Sequence, residues 1–470
     1  MKPKICDKSV SFSECELVIL RLQVDASEHK QKKQHIIEHS AELSGMFKII
    51  EDFLKRKKNI CYGGIAINAL LPENDKIYDE SDLPDYDFFS ADALNDAKEL
   101  VNIYIKHGYT DVEAKSGQHH GTYKVFVNFQ GMADITNIPK GLFNAIKQKA
   151  VDVKGILYTD PVLLQMSMYL ELSRPDGDTS RWEKVFKRLR LINKYYPLPT
   201  NDCNKVNFQR KMENMYKNDE IYEITKNALI NNNVVFFGGF AISQYLRYMP
   251  KHIQKQVNKI ADFDVLSIEP LKTANIIKNE LNKNGINNVS ISKKSSIGEI
   301  LPLNYEIKIG NDTIAFIYQP LGCHSYNILN SNHKQIKIAT IDTMLSFYLA
   351  FMYANKPYYD LDRILCMSNF LFEVQKHNRL EQKGLLKRFS IDCYGYQPSL
   401  EDLKREKAKK FIELKDKKGT KEYEEWFLNY APLQKNSIIN NKKMTSNKTK
   451  NKAFKYKMKN KTLKKKGIFW

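Results

Sequence analysis

Three aspartates in the first half of the chain have a spacing that suits metal-dependent phosphate chemistry. Asp85 and Asp87 lie two residues apart in the strand-like segment DYDFFS, so the alternation of a β-strand points both carboxylates to one side. Asp134 lies in a second strand-like segment, GMADITNI, which a neighbouring strand position could bring beside the pair. Hard oxygen ligands of this kind bind magnesium, and a two-metal site holds its ions about 3.5 to 4 Å apart. We therefore predict a two-metal site made of Asp85, Asp87 and Asp134.

Two glycines upstream of these acids could bind phosphate. Gly63 and Gly64 end a predicted strand, NICYGG, and begin a predicted helix, IAINALL. Without Cβ atoms, the backbone N–H groups can approach a triphosphate, and a helix N-terminus favours negative charge. Neither GG nor D-x-D is specific alone, but their combination with Asp134 at these spacings indicates nucleotidyl transfer. The metals would activate an incoming hydroxyl and neutralise the leaving pyrophosphate.

Other charged residues are weaker candidates. Lys154, in VDVKGILY, follows the third aspartate closely enough to reach a triphosphate, with a solvated loop lysine as the alternative. Arg181 and Lys184 could point at phosphates from a predicted helix or remain surface charges. His119 and His120 are expected in a loop without a catalytic role. The segment HIIEH, residues 35–39, has the form of a zinc-protease motif, but its basic surroundings are typical of a solvated helix face, so we do not assign zinc.

The glycine and aspartate pattern occurs a second time. Gly64 precedes Asp85 by 21 residues, and Gly239 precedes Asp262 by 23, with Gly238 and Asp264 completing the second copy. The predicted strands and helices around both copies follow the same order, which indicates duplication of one fold.

The second copy differs at its third acidic position. Aligning ADITNIP with AFIYQP puts Phe316 where Asp134 stands, and a phenyl ring cannot bind magnesium. We predict that this copy is structural or binds RNA. The alternative is a slipped alignment in which Glu306 or Asp312 supplies the third carboxylate.

These elements predict an α+β or α/β fold of two tandem nucleotidyltransferase-like domains, each a mixed sheet with helices. The predicted divisions of the 470-residue chain are a helical N-terminal extension at 1–43, a catalytic domain at 44–200, a degenerate domain at 201–390 and a basic C-terminal tail at 391–470.

Composition indicates an acidic partner. The net charge is +20, and the stretch from Trp426 to Trp470 contributes 13 Lys or Arg without an Asp or Glu. Its aromatic residues alternate with lysines, as in a segment that holds single-stranded RNA; a solvated tail or a localisation signal is the alternative. Seven scattered cysteines without a C-x-x-C pair predict a reducing compartment and no structural zinc. Because no 18-residue apolar stretch occurs, we expect a soluble intracellular protein without membrane contact.

Three motifs carry a resemblance to a known family. The segments GGIAIN (63–68), DYDFFS (85–90) and ADIT (133–136) together resemble the DNA polymerase β-like nucleotidyltransferases. They are most similar to poly(A) polymerase catalytic subunits of large cytoplasmic DNA viruses, the poxvirus and mimivirus-like group. Residues 158–189 also resemble the family's region after the third aspartate. The resemblance covers about residues 44–390 and includes a catalytic domain followed by a degenerate one.

The resemblance implies a template-independent polymerase that adds AMP from ATP to RNA 3′ ends with two Mg²⁺ or Mn²⁺ ions. Asp85 and Asp87 would bind both metals and Asp134 one, while Gly63 and Gly64 would hold phosphate with Asn68 nearby. A homodimer or a separate processivity subunit, and a location in the host cytoplasm, viral factory or virion, are further implications. Selection of adenine follows only from the resemblance. A uridylyl- or CCA-adding enzyme and a non-catalytic RNA-binding scaffold therefore stay open.

Overall fold

The structure is a computed structural model. It describes residues 11–78, 85–199, 203, 206–210, 217–250, 260, 262–331, 333–378 and 381–433, and it leaves out the side chains of residues 12–14, 25 and 28–42 in the first helix. The side chains of the HIIEH segment and the tail residues Phe454, Tyr456, Phe469 and Trp470 lie outside this set. No helix among the described residues is both long and apolar enough to cross a bilayer.

The first unit is built on a mixed sheet whose strands follow the spatial order 3-4-5-2-1-7-6. Its strands are β1 (Ile60–Cys61), β2 (Tyr86–Ser90), β3 (Val112–Ser116), β4 (Thr122–Val127), β5 (Gln130–Asn137), β6 (Val151–Val153) and β7 (Ile156–Tyr158). Its helices are α1 (Phe12–Lys57), α2 (Gly63–Leu70), α3 (Ala93–Lys106), α4 (Lys140–Lys149), α5 (Pro161–Leu172) and α6 (Trp182–Tyr195). Side chains alternate between buried and partly exposed along β2 and β4, so this sheet has one open face.

The second unit repeats this arrangement. Its strands are β8 (Val235–Phe236), β9 (Phe263–Leu266), β10 (Val289–Lys294), β11 (Asn304–Ile309), β12 (Asp312–Tyr318), β13 (His324–Ser331) and β14 (Lys334–Ala339), in the order 10-11-12-9-8-14-13. Its helices are α7 (Asn218–Asn231), α8 (Gly239–Tyr245), α9 (Pro270–Lys283), α10 (Ile341–Phe351) and α11 (Leu361–His377). Both sheets have parallel pairs at the same positions, β1 with β7 and β2 with β5 in one, β8 with β14 and β9 with β12 in the other. The predicted duplication and fold class are confirmed.

The first part of the segment predicted as a tail is folded. Strand β15 (Cys393–Tyr394) pairs with β13, and β16 (Asn429–Tyr430) pairs with β3, with α12 (Leu400–Leu414) and α13 (Lys421–Phe427) between them. These additions cover one edge of each sheet, which protects unpaired strand edges from other chains. The boundary at residue 391 is therefore corrected, because residues 393–430 complete both sheets. At the other end, α1 runs continuously through the predicted boundary at residue 43.

The two units contact each other through α5 and α10. All eleven residues of α10 are buried, as expected for a helix enclosed between layers. Asp160 caps α5 by accepting the backbone N–H of Val162, and the Tyr353 hydroxyl lies 2.7 Å from both oxygens of the same carboxylate. Burial raises the pKa of Asp160, and the hydrogen bond from Tyr353 opposes that shift. A buried, hydrogen-bonded carboxylate therefore joins the units.

Two disulfides join cysteines of the described residues 203–393, whereas the sequence analysis predicted reduced thiols. Cys203 is bonded to Cys366 of α11, and Cys323 is bonded to Cys393 of β15. Disulfides persist in oxidising surroundings and are rare where thiols are kept reduced. The scattered spacing concealed these pairs, because tertiary structure brings together cysteines 163 and 70 residues apart.

Candidate active site

The three predicted acids lie together at one edge of the first sheet. Strands β2 and β5 are parallel neighbours, and Asp87 and Asp134 are directly opposite in their register. Asp85 immediately precedes β2, two residues from Asp87, so strand alternation places it on the same open face. A Cβ at Gly131, near the start of β5, would lie 3.7 Å from the Asp85 carboxylate. The fold therefore brings together acids that are 47 residues apart in sequence.

These carboxylates repel one another. Burial raises the pKa of Asp87 to about 7, and the charges of Asp134 and Asp85 add to the shift. Burial also raises the pKa of Asp85, again with a contribution from Asp134. Carboxylates collected in a partly buried site hold their negative charge readily only when cations neutralise it. The donor set thus fits hard divalent cations, which oxygen ligands prefer.

A lysine that the sequence analysis missed lies beside the third aspartate. Lys124 is opposite Asp134 on β4, and its ammonium group is 2.5 Å from an Asp134 oxygen. Lys124 therefore supplies the closest counter-charge to Asp134. The alternating pattern of YKVF in the sequence could have indicated the position of Lys124, because it puts this side chain on the open face of the sheet.

Among the described residues, three potential metal ligands lie within 4.8 Å of one another at Asp176, Cys323 and Cys393, and the two sulfurs of that group form a disulfide. The oxygens of Asp85, Asp87 and Asp134 do not all lie within 4.8 Å of one another.

The glycine turn lies against the acids. Gly63 has a φ of +66°, a conformation that favours glycine, and a Cβ there would lie 3.2 Å from an oxygen of Asp87. The backbone N–H of Tyr62 donates to the Asp87 carbonyl at 2.9 Å, which fixes the turn to β2. Helix α2 begins at Gly63, so its first N–H groups lie beside the carboxylate site. This is the location predicted for phosphate.

An arginine and a tyrosine that the sequence analysis did not single out cover this turn. The Arg188 guanidinium donates to the Tyr78 hydroxyl at 3.2 Å and lies 5.7 Å from the centre of its ring. A Cβ at Gly64 would be 3.3 Å from an Arg188 nitrogen. Arg188 has no carboxylate partner within 4 Å in the described part of the chain, so its charge is available beside α2. Arg188 is one of several basic residues in the segment RWEKVFKRLR, so the sequence pattern did not distinguish it from its neighbours.

The remaining predicted residues have different positions. The Asn68 side-chain oxygen accepts the backbone N–H groups of Ile77 and Tyr78, at 2.9 and 3.1 Å, so Asn68 holds the loop that carries Tyr78. Lys154 is exposed in the β6–β7 turn, next to Gly155, whose carbonyl accepts from Lys58. That turn is at the start of β1, whereas the glycine turn is at its end. The contact of Lys154 with triphosphate stays a prediction.

Arg181 lies near the acids. Its positive charge lowers the pKa of Asp87, against the larger effects of burial and neighbouring carboxylates. Its Nε is 3.4 Å from Glu171. Arg181 thus contributes positive potential on the side of the site that faces α6.

The equivalent position in the second unit is filled by protein groups. Phe316 is opposite Asp264 across β12 and β9, as Asp134 is opposite Asp87, so the predicted alignment is confirmed. The Arg210 guanidinium forms ion pairs with Asp262 and Asp264 and lies 4.7 Å from the centre of the Phe316 ring. The remaining cavity has a volume of about 20 Å³, too small for a nucleotide.

The alternative third ligands of the second unit have other positions. Glu306 is on β11, where it forms ion pairs with Lys294 and Lys308 and accepts from Thr313. Asp312 begins β12, four residues before Phe316. Neither residue occupies the position that Asp134 has in the first unit.

Comparison with known proteins relates the chain to one family. Residues 48–178 match the family of the poly(A) polymerase catalytic subunit. A protein of Acanthamoeba polyphaga mimivirus, provisionally named as such a subunit, is 35% identical over 161 residues, which are 33% of this chain and 27% of the relative. A similarly named protein of African swine fever virus (strain Badajoz 1971 Vero-adapted) is 28% identical over 217 residues, 45% of this chain and 46% of the relative. The chain thus spans less than half the length of these curated relatives.

A solved structure has the same fold over nearly the whole chain. The crystal structure of the Megavirus polyadenylate synthase superposes with a TM-score of 0.74 at 21% identity, covering 96% of this chain and 92% of that one. The matched segment, residues 48–178, contains the glycine turn and all three acids of the first unit. This segment of the chain is therefore similar to the poly(A) polymerase catalytic subunit family.

Proposed function

We propose that the protein is a template-independent polynucleotide adenylyltransferase, which adds AMP from ATP to the 3′ end of RNA. The observation that carries the proposal is the placement of Asp87 opposite Asp134, with Asp85 on the same open face beside the glycine turn. Paired carboxylates next to a phosphate-binding turn suit nucleotidyl transfer to a hydroxyl. The names of the relatives supply the choice of ATP and RNA.

In this proposal, Asp85, Asp87 and Asp134 bind two divalent cations, with Mg²⁺ or Mn²⁺ as candidates. When bound, such ions lower the pKa of a nearby hydroxyl and neutralise phosphate charge. Asp134 is at the side of the site nearest β4, where the RNA 3′ hydroxyl would lie, and Lys124 holds its carboxylate in place.

The opposite side of the site would bind the triphosphate. The first N–H groups of α2 point at the glycine turn, where they can donate to phosphate oxygens. Arg188 can add a charge-assisted hydrogen bond, because its guanidinium adjoins Gly64 without a carboxylate partner in the described residues. The leaving pyrophosphate would be held by the same groups.

Other parts of the proposal concern assembly and location. RNA and ATP are the substrates, and the net charge of +20 favours association with RNA. Work as a homodimer or with a separate processivity subunit, in the host cytoplasm, viral factory or virion, belongs to the same proposal.

An extension assay tests the activity. The full chain would be incubated with a labelled oligoribonucleotide and each NTP in turn, with Mg²⁺, with Mn²⁺ or with EDTA. We expect a ladder with ATP that requires a divalent cation. A ladder with UTP would change the assigned substrate. If no nucleotide gives a ladder, the non-catalytic RNA-binding scaffold is favoured instead.

Arg188→Ala tests the triphosphate side, with Arg190→Ala on the same helix as the matched control. We expect the KM for ATP to rise roughly tenfold in Arg188→Ala, as for loss of one charge-assisted hydrogen bond, and to change little in Arg190→Ala. Equal KM values in both variants would remove Arg188 from the site.

A further inference from the structure

The open face of the first sheet continues beyond the acids as a row of basic and aromatic side chains. Lys115 of β3 is directly opposite Lys124 of β4, which is opposite Asp134 of β5. Phe126 is two residues along β4 on the same face, and Lys115 lies 6.0 Å from the centre of its ring. Like charges directly opposite each other on a sheet are destabilising, and each lysine also forms an ion pair, Lys115 with Glu113 and Lys124 with Asp134.

The β4–β5 turn adds an aromatic residue in an unfavourable conformation. The two turn residues, Asn128 and Phe129, have φ values of +48° and +64°. A two-residue turn of this kind favours Asn followed by Gly, because most side chains avoid positive φ. Phe129 nevertheless occupies the glycine position and is 85% exposed. The chain thus keeps an exposed phenyl ring where glycine would form the turn more easily.

This turn is close to the catalytic acids. Phe129 is two residues before Gly131, at most about 7 Å along an extended chain. A Cβ at Gly131 would be 3.7 Å from the Asp85 carboxylate and 3.9 Å from the Phe126 ring. Both aromatic residues therefore lie near the Asp85 side of the site.

We propose that Lys115, Lys124, Phe126 and Phe129 form a platform for the 3′-terminal nucleotides of single-stranded RNA. Phenyl rings stack on bases of any identity, and lysines neutralise phosphates, so the platform suits a strand that grows without a template. Glu113 is the nearby acid on β3, and its exposed ion pair with Lys115 is weak enough for phosphate to replace. The proposal rests on the proposed function, because it assumes that the substrate is RNA.

The test separates RNA binding from catalysis and from folding. Affinity of the full chain for a short fluorescein-labelled oligoadenylate would be measured by anisotropy in EDTA, alongside thermal unfolding, for wild type and Phe129→Gly. We expect the Kd of Phe129→Gly to rise roughly tenfold, as for loss of one stacked base. Its unfolding midpoint should stay the same or rise, because glycine relieves the turn.

Two further variants complete the test. Phe129→Trp should restore the affinity, and Tyr396→Ala, which removes another exposed aromatic residue, in the second unit, should leave it unchanged. Wild-type affinity in Phe129→Gly would overturn the platform while the polymerase assignment stands. Failure of the wild-type chain to bind or extend any RNA would instead overturn the proposed function, on which the platform depends.

Discussion

The two units share a strand order, but the charges of their equivalent acidic sites are balanced in different ways. In the first unit, burial and then the charges of Asp134 and Asp85 raise the pKa of Asp87 to about 7, and a Cβ at Gly63 would be 3.2 Å from its carboxylate. In the second, Arg210 neutralises Asp262 and Asp264, and a Cβ at Gly238 would be only 2.3 Å from Asp264. Among the described residues, the first site leaves Asp85 and Asp87 without an ion-pair partner within 4 Å, whereas the second site pairs both of its acids with Arg210.

The difference shows how a duplicated site can become structural. A buried carboxylate pair without a cation is costly, so loss of the third ligand at Phe316 leaves a pair that needs a permanent partner. Arg210 supplies that partner from the segment between the units and stacks on Phe316. The disulfide from Cys203 to Cys366 holds the same segment against α11. The second copy thus keeps its acids because they hold the connecting segment in place.

The largest expected effect compares equivalent aspartates. Asp87→Asn should reduce extension by at least about a hundredfold, because it removes a charged ligand whose loss weakens stabilisation of the transition state. Asp264→Asn should leave extension per folded molecule within a few-fold of wild type. Single-nucleotide addition at saturating ATP and primer would measure both. Equal losses of extension activity in the two variants would show that the two acidic sites do not differ in function.

Arg210→Met should destabilise the protein. Removal of the guanidinium leaves Asp262 and Asp264 buried without a counter-charge, which costs about 3 to 5 kcal/mol in comparable cases. Urea unfolding would measure the change, with Arg405→Met on the exposed face of α12 as the control. Turnover of the remaining folded protein should be retained. A stability equal to that of the control variant would show that Arg210 is dispensable.

Stability should depend on pH through the first site when metal is removed. The pKa of Asp87 is about 7 in the folded protein against an ordinary value of 3.8. The folded state therefore binds more protons than the unfolded state between these values, and its stability falls as pH rises through this window. In EDTA, Asp87→Asn should gain up to about 4 kcal/mol over wild type at pH 8, and little at pH 4. An equal difference in the free energy of unfolding between the variant and wild type at both pH values would contradict the raised pKa of Asp87.

The smallest expected effect concerns the two disulfides of the described residues 203–393, which involve cysteines of the second unit or of the segment that leads into it. Cys366→Ser should lower the free energy of unfolding by about 3 kcal/mol, because Cys203 no longer restricts the unfolded chain. Thermal unfolding with and without reductant would measure it. Cys61→Ser, at the buried free thiol of the first unit, is the control whose response to reductant should match wild type. An identical response to reductant in Cys366→Ser and wild type would mean that this bond is absent in solution.

Local patterns in the sequence were sufficient to predict the shared face of Asp85 and Asp87 and the duplication. Period-two alternation put Asp85 and Asp87 on one face, and the spacing of GG to D-x-D recurred closely enough to align the two copies. The same alignment predicted Phe316 opposite Asp264, which the register confirms. These features depend on residues within one or two elements, where backbone geometry alone determines the outcome.

Contacts between distant segments could be known only from the tertiary structure. Arg210 lies in a connection with no strand or helix pattern, and its role depends on where the chain crosses the second sheet. The position of Lys154 could not be predicted, because sequence distance from Asp134 does not tell at which end of β1 its hairpin turn lies. The disulfides and the strands at 393–394 and 429–430 likewise depend on pairings across about 70 residues or more. The sequence by itself determined which residues could bind metal and phosphate, since residue type and strand period decide that. The tertiary structure decided which site stays open, since charge neutralisation depends on the segments that fold against it.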